Sequence, residues 1–434
     1  MSSGSSSLAS PPGGVLDRPL PEGVRDLLYA DAAAWREMEA ALRRTWNAWG
    51  YREIILPTFE YADTLATDVG AEIEAETYRF FDRHGRTLAL RPDMTIPTAR
   101  VVGSRLYDQP LPLRIAYVGS VFRYEPPRAG RQHEFTQAGV ELIGARGSAA
   151  DAESVALAVA ALQAAALPAF RVTVGHVGFF GGLLVALDLP DRQVAAVRDA
   201  VNRKAEAELG NLVREIGSAN PQAQAALLAL LRLAGDATIL AEAERYCLNS
   251  QMADALAELR AAADLLAAYD VAGMVNYDLA EVRDLGYYTG ITFEGFAPGL
   301  GFNLISGGRY DGLVGHFGPP FPAVGWALTL DRVLLAREMQ GAAYTEPVPD
   351  VLFSSGGHSE SLAWAGQARK HGLLVEVDPL GLPAEELWRS AQARGIARIA
   401  RYRDPRTLLV RDRAGQRQVA VDDWEEVATW RGKR

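Results

Sequence analysis

Residues 119–144 read GSVFRYEPPRAGRQHEFTQAGVELIG. A charged stretch rich in Pro and Gly, 125–131, separates two apolar runs, 114–124 (114–118 and 120–124) and 134–143. The spacing predicts a pair of antiparallel strands joined by a long turn. Gln137 and Glu141 lie four apart on the second strand, so both side chains leave the same face of a sheet.

The surrounding chain supports the same architecture. Helical spacing of Trp35, Met38, Leu42, Trp46 and Trp49 predicts a helix over 31–49, stopped by Gly50. A short apolar strand is expected at 54–56, ended by Pro57, and a hairpin from 78–81 and 87–90 around Arg83-His84-Gly85-Arg86. Downstream, 151–166 reads as an alanine-rich helix capped by Asp151 or Ser148, and 170–174 as a strand. An Ala- and Leu-rich stretch, 183–270, predicts a helical insertion. Strands are expected at 291–296, 302–305 and 324–329, a tight turn at Gly307-Gly308, and helices over 310–317 and 330–338. Beyond Pro347-Val348-Pro349 strands alternate with helices, which predicts a small α/β domain. The expectation is an α+β protein with a flexible tail at 1–17, a core at 18–340 and a second domain at 348–434.

Composition narrows the function. With 434 residues the chain is long enough for more than one core. Lys and Arg total 44 against 54 Asp and Glu, a formal charge of −10, which disfavours a protein whose main task is gripping a polyanion. The basic run Arg394, Arg398, Arg401, Arg403 and Arg406 is read as a self-compensated surface beside Asp404 and the acids at 422–426. Cys247 is the single cysteine, and the six histidines show no metal-ligand spacing, so no metal site and no cofactor are expected. There is no apolar run of about 18 residues and no secretory leader pattern, so a cytoplasmic protein is expected.

Polar residues recur at strand ends: Asp93 and Thr95, Arg123, Gln137 and Glu141, then Arg283, Tyr287 and Tyr288. Brought together, carboxylates would hold an ammonium group, guanidiniums a carboxylate or phosphate, and an amide or phenol a neutral imidazole. That set suits a zwitterionic polar amino acid. Taken singly, each residue reads more readily as a surface ion-pair partner, so the reading rests on the set and not on any member. His133 reads as a solvated loop residue and Cys247 as a helix-packing one.

With these residues assembled, 20–338 resembles the catalytic core of histidyl-tRNA synthetases, a class II family. The helix and strand ending at Pro57 look like motif 1, 119–144 like motif 2, and SGGRYDGLVGHFG (306–318) with PAVGWALTLDR (322–332) like motif 3. EVRDLGYYTGITFEGF (281–296) is similar to the histidine-specific signature. The resemblance implies a histidine pocket of Asp93, Thr95, Arg123, Gln137, Glu141, Arg283, Tyr287 and Tyr288, with Arg131 and Arg332 as arginines of the ATP site.

Three departures bear on activity. The family's Arg-Gly-Leu-Asp-Tyr-Tyr becomes Arg283-Asp284-Leu285-Gly286-Tyr287-Tyr288. Thr329 stands where the family has a glycine that lets adenine approach the backbone. The motif 2 loop carries Arg131-Gln132-His133 in place of an Arg-Tyr-Arg pattern. The last domain only faintly resembles the family's anticodon-binding domain.

The stretches 20–28, 90–100, 133–144, 172–184 and 278–313 look more like the synthetase-like regulatory subunits of ATP phosphoribosyltransferase. That resemblance implies no catalytic residue of its own and a short-form catalytic subunit as partner. It also implies L-histidine as feedback effector of the first step of histidine biosynthesis, and a homodimer within a hetero-oligomer. The large tryptophans of helix 31–49 are expected to be buried across that dimer, the alternative being packing within the chain. Two other readings stay open: a working histidyl-tRNA synthetase, and a synthetase-like sensor serving a different partner.

Overall fold

A computed structural model describes residues 20–65, 76–124, 132–216, 220–281, 288–342, 344 and 347–432. The expected tail at 1–17 lies outside these residues. The chain divides into two compact units, Met1–Ala343 and Tyr344–Arg434.

In the first unit the strands are β1 (Arg52–Glu53), β2 (Phe59–Tyr61), β3 (Arg79–Phe81), β4 (Thr87–Leu90), β5 (Leu113–Phe122), β6 (Glu134–Ile143), β7 (Arg171–His176), β8 (Ala234–Gly235), β9 (Val275–Asp278), β10 (Ile291–Phe296), β11 (Ile305–Arg309) and β12 (Ala323–Thr329). Nine of them form one sheet in the order β1-β5-β6-β12-β11-β10-β7-β9-β8. From β5 to β7 every neighbour is antiparallel; β1 with β5 and β7 with β9 are parallel. β2, β4 and β3 make a small separate sheet.

Alternation decides which face of the large sheet is covered. Ala138, Val140 and Leu142 of β6, Val324, Trp326 and Leu328 of β12 and Phe293 of β10 share one core with the helices Tyr29–Ala48, Ser148–Ala164 and Ser250–Ala268. Ser148–Ala164 is buried almost all round, which its small alanines permit. Its expected cap is absent. Gly147 occupies the N-cap, the Ser148 hydroxyl reaches Glu258 O, and Asp151 turns inward to Arg309.

Between β7 and β9 the chain is mostly helical, over Val177–Leu187, Asp191–Asn202, Glu206–Ile216, Pro221–Leu230, Ile239–Ala243 and Ser250–Ala268. Cys247 ends a short turn there rather than lying within a helix, and its half-buried Sγ points at Ala243 O.

The structure corrects several expectations. The strand expected at 54–56 lies at Arg52–Glu53; only Ile54 N–H still reaches Ala116 O, and Ile55 is exposed. Gly307 and Gly308 make no tight turn but lie inside β11. A Cβ on Gly307 would lie 2.5 Å from Gly325 O, and one on Gly308 2.6 Å from Ile291 O, so only glycine fits between the flanking strands. The helix expected over 310–317 shrinks to the single turn Val314–His316. Trp35 and Trp46 are buried in their own chain and Trp49 stacks on Tyr269, so these rings are no ground for a dimer.

The second unit carries β13 (Val351–Ser354), β14 (Val375–Val377), β15 (Ile399–Asp404), β16 (Thr407–Asp412) and β17 (Gly415–Ala420) in the order β14-β13-β15-β16-β17. The first three are parallel and the rest antiparallel. One core joins this sheet to Trp364, Trp430 and Val427, another to Leu387, Trp388 and Ala391 of the helix Ala384–Ala393. Arg394 pairs with Glu376, Arg411 with Glu385, and Arg417 with Asp412 and Glu426.

Candidate functional site

The face of the large sheet turned away from the three helices is polar and rich in glycine. Strand register sets Ile115, Glu141, Gly325, Gly308, Thr292 and Gly175 in one row across it. Tyr117, Gly139, Ala327, Ser306, Glu294 and Thr173 form the next row, and Gly119, Gln137 and Thr329 a third. The glycines make room for neighbouring side chains. A Cβ on Gly325 would overlap the Glu141 carboxylate, one on Gly139 would lie 2.6 Å from Tyr117 Oη, and one on Gly308 2.7 Å from the Tyr288 ring.

Glu141 is fully buried. Its carboxylate accepts from Tyr117 Oη at 3.0 Å, from Tyr310 Oη and from the Thr95 hydroxyl. These donors are all uncharged. Burial pushes the Glu141 carboxyl up to about 7, and nearby Asp93 adds to that rise, against the pull of the three hydroxyls. Tyr117 is shifted well above the ordinary phenol range, by its own burial first and by Glu141 second.

Asp93 and Thr95 stand at the start of the helix Thr95–Val101, where Asp93 Oδ1 accepts the Ile96 N–H at 2.8 Å. Burial raises the Asp93 pKa, while the Ile96 amide and the Arg123 guanidinium draw it back. Gln137 Oε1 accepts the Met94 N–H at 3.1 Å, which ties β6 to this corner. Arg123 Nε donates to Pro92 O at 2.7 Å. Beneath the corner, buried Arg91 donates to Ser120 O, Leu56 O and Pro57 O.

Asp93, Thr95, Arg123, Gln137 and Glu141 therefore come together, and Tyr288 joins them over Gly308. Arg332 bonds to Asn303, whose Nδ2 donates to Glu294 on the same face of the sheet. Its Nη1 donates to Asn303 O at 2.9 Å and Oδ1 at 2.6 Å, and its guanidinium lies 5.1 Å from the Phe302 ring centroid. Arg131, Arg283 and Tyr287 lie outside the described residues. His133 is buried, not solvated: its Nδ1 is 2.9 Å from Tyr78 Oη. Sequence reasoning missed Tyr117 and Tyr310. A strand reading of 305–309 would have put Tyr310 on the face of Gly308, two residues back; the expected turn hid it.

The chemistry of this arrangement suits a ligand that carries both charges. Asp93 beside Arg123 offers opposite charges to an ammonium and a carboxylate, and Glu141, ringed by hydroxyls, accepts from an N–H group or a cation. Together they form a polar, charge-bearing corner on the open face of a class II synthetase-like sheet.

Comparison with known proteins agrees with the fold. The family model of histidyl-tRNA synthetases matches residues 23–333. The ATP phosphoribosyltransferase regulatory subunit of Symbiobacterium thermophilum is 44% identical, over 88% of this chain and 96% of its own. That of Moorella thermoacetica is 42% identical, over 87% and 96%. A crystal structure titled as an ATP phosphoribosyltransferase regulatory subunit/histidyl-tRNA synthetase from Bacillus halodurans superposes with a TM-score of 0.77 at 32% identity, covering 87% of this chain and 97% of that one. The chain belongs to the ATP phosphoribosyltransferase regulatory subunits, a family that shares the histidyl-tRNA synthetase fold. Its relatives carry the name of a regulatory subunit rather than of a catalyst.

Proposed function

We propose that this chain binds free L-histidine in the site around Glu141 and passes that occupancy to a short-form ATP phosphoribosyltransferase catalytic subunit. The catalytic subunit needs the chain for full activity and is inhibited through it when histidine accumulates. The observation that carries this reading is the buried Glu141 carboxylate, held by Tyr117, Tyr310 and Thr95 beside Gln137, Asp93 and Arg123. It offers an acceptor for an imidazole N–H and a charge pair for the amino-acid backbone. Arg283 and Tyr287 complete the proposed pocket with Tyr288; Arg131 and Arg332 are remnants of a nucleotide site. The assembly contains a homodimer of this chain and works in the cytoplasm.

Histidine can act at a distance only by binding two states of the complex unequally, and a coupling of about 1–3 kcal/mol suffices. The test is to mix the chain with the catalytic subunit and follow product formation with and without histidine. Activation by the chain, and inhibition that disappears in Glu141→Gln, support the reading. Unchanged inhibition in that variant would move the histidine site elsewhere.

The synthetase reading keeps one point in its favour, the presence of both Arg123 and Arg332. Against it stand Thr329, which register places beside Gln137 on the site face, and the bonds that already engage Arg332 with Asn303. Histidine-dependent exchange of pyrophosphate into ATP by the chain alone would favour the enzyme.

A further inference from the structure

β12 ends at Thr329, opposite Gln137, so among the described residues the first residues of β6 have no strand on that side. Their amides need partners there. A segment from far earlier in the chain supplies them. Gly23 O accepts both the His133 N–H, at 2.7 Å, and the Glu134 N–H, at 3.2 Å. The next inward-facing amide, Thr136 N–H, donates to Asp331 Oδ2 at 3.1 Å, and Asp331 Oδ1 accepts from Arg25 Nη2 at 3.0 Å.

Gly23 is the one residue type that fits. Its φ is +74°, and a Cβ would overlap the His133 ring seated on it. That ring also meets Tyr78 Oη through Nδ1 and lies 5.2 Å from the Tyr124 ring. His133 O in turn accepts the Arg123 N–H at 2.9 Å. The covered edge thus touches the pocket twice, through Arg123 and through Gln137, which follows Thr136.

We infer that residues 20–25 form a clasp over the open end of β6, with Gly23 and Arg25 as positioning residues that hold Arg123 and Gln137 in their binding geometry. The inference deepens the effector reading and rests on it for the identity of the ligand. The Arg25 side chain is about half covered, and its ion-pair partner among the described residues is Asp331, so its effect passes through Asp331 and Thr136.

The experiment is amide hydrogen exchange on the full chain, with and without histidine, in the wild type, Arg25→Ala and Arg25→Lys, paired with calorimetric histidine titrations. Arg25→Ala is expected to speed exchange at His133, Glu134 and Thr136 by about threefold, to weaken histidine binding by a similar factor and to leave exchange elsewhere in the sheet unchanged. Arg25→Lys is expected to restore both. Wild-type exchange at these three amides in Arg25→Ala would overturn the clasp, and so would acceleration spread over the whole sheet. If the wild type binds no histidine while Arg25→Ala still frees these amides, the clasp stands and the effector reading falls.

Discussion

Glu141 concentrates the cost of this site in one side chain. A carboxylate enclosed by the Tyr117, Tyr310 and Thr95 hydroxyls, with Asp93 nearby, is more easily protonated in the folded chain than in the unfolded one, and burial is the chief cause. Its pKa is about 7 folded against an ordinary 4.5, so the folded state binds the extra proton between those values. Stability from this group is fully present below about 4.5 and is lost as pH rises through about 7. Glu141→Gln removes that loss. The variant should gain melting temperature relative to wild type as pH is raised from 5 to 8, and melting curves across that range will show it. The same change should weaken histidine binding by about tenfold or more, since it removes a charged acceptor from a dry site. A variant that melts higher at alkaline pH but binds less tightly is what a site kept for its ligand predicts. If pH does not separate the two melting curves, Glu141 is not the titrating group.

Elements of this fold meet through residues remote in sequence, and that limits how much of it can be read ahead. Arg309 at the end of β11 donates through Nε and Nη2 to Asp151 at 3.0 and 2.7 Å, 158 residues away, and through Nη1 to Asp311 at 3.1 Å. Burial works against the guanidinium, but these two carboxylates hold its pKa above the ordinary arginine value. Asp151→Ala would leave the buried guanidinium with Asp311 alone as its carboxylate partner and should cost up to about 3–5 kcal/mol, visible as a lowered denaturation midpoint; a double change of Arg309 and Asp151 to apolar residues of similar volume should cost less. The strand at 134–143 was legible because an apolar run bounded by turn residues is a local signal, even though both of its faces are buried from Gln137 onward, and so was the helix that carries Trp35 and Trp46. β11 was not legible. Two adjacent glycines read locally as a turn, and only the backbones of β10 and β12 on either side explain them. The cap expected from Asp151 failed for the same reason: a first-turn acid suits a helix start, but Arg309 outbids it from across the core. Of the proposed pocket, the residues on β6 and around Asp93 could be named from the sequence, whereas Tyr117 and Tyr310 needed register, because a bond spanning 169 residues leaves no local trace.

Each of the two units in the whole molecule has an apolar core of its own. Val351, Phe353, Trp364, Leu408 and Trp430 lie in one core and Leu352, Leu387 and Trp388 in another, both within Tyr344–Arg434, while the sheet that carries Glu141 packs entirely inside Met1–Ala343. A chain ending at 343 should therefore fold with a single cooperative transition and bind histidine within about twofold of the full chain; calorimetry on both forms measures this, and loss of binding would mean that the second unit shapes the pocket. The effector reading makes a stricter demand on the assembly. If histidine changes the affinity of this chain for the catalytic subunit by some factor, the catalytic subunit must change its affinity for histidine by the same factor. For a coupling of about 1–3 kcal/mol the factor is about 5–150, large enough to measure from both directions by titration. Equal factors would place histidine and the catalytic subunit on one shared equilibrium of this chain. A partner that leaves histidine affinity untouched would mean that inhibition, where it is seen, arises in the catalytic subunit itself.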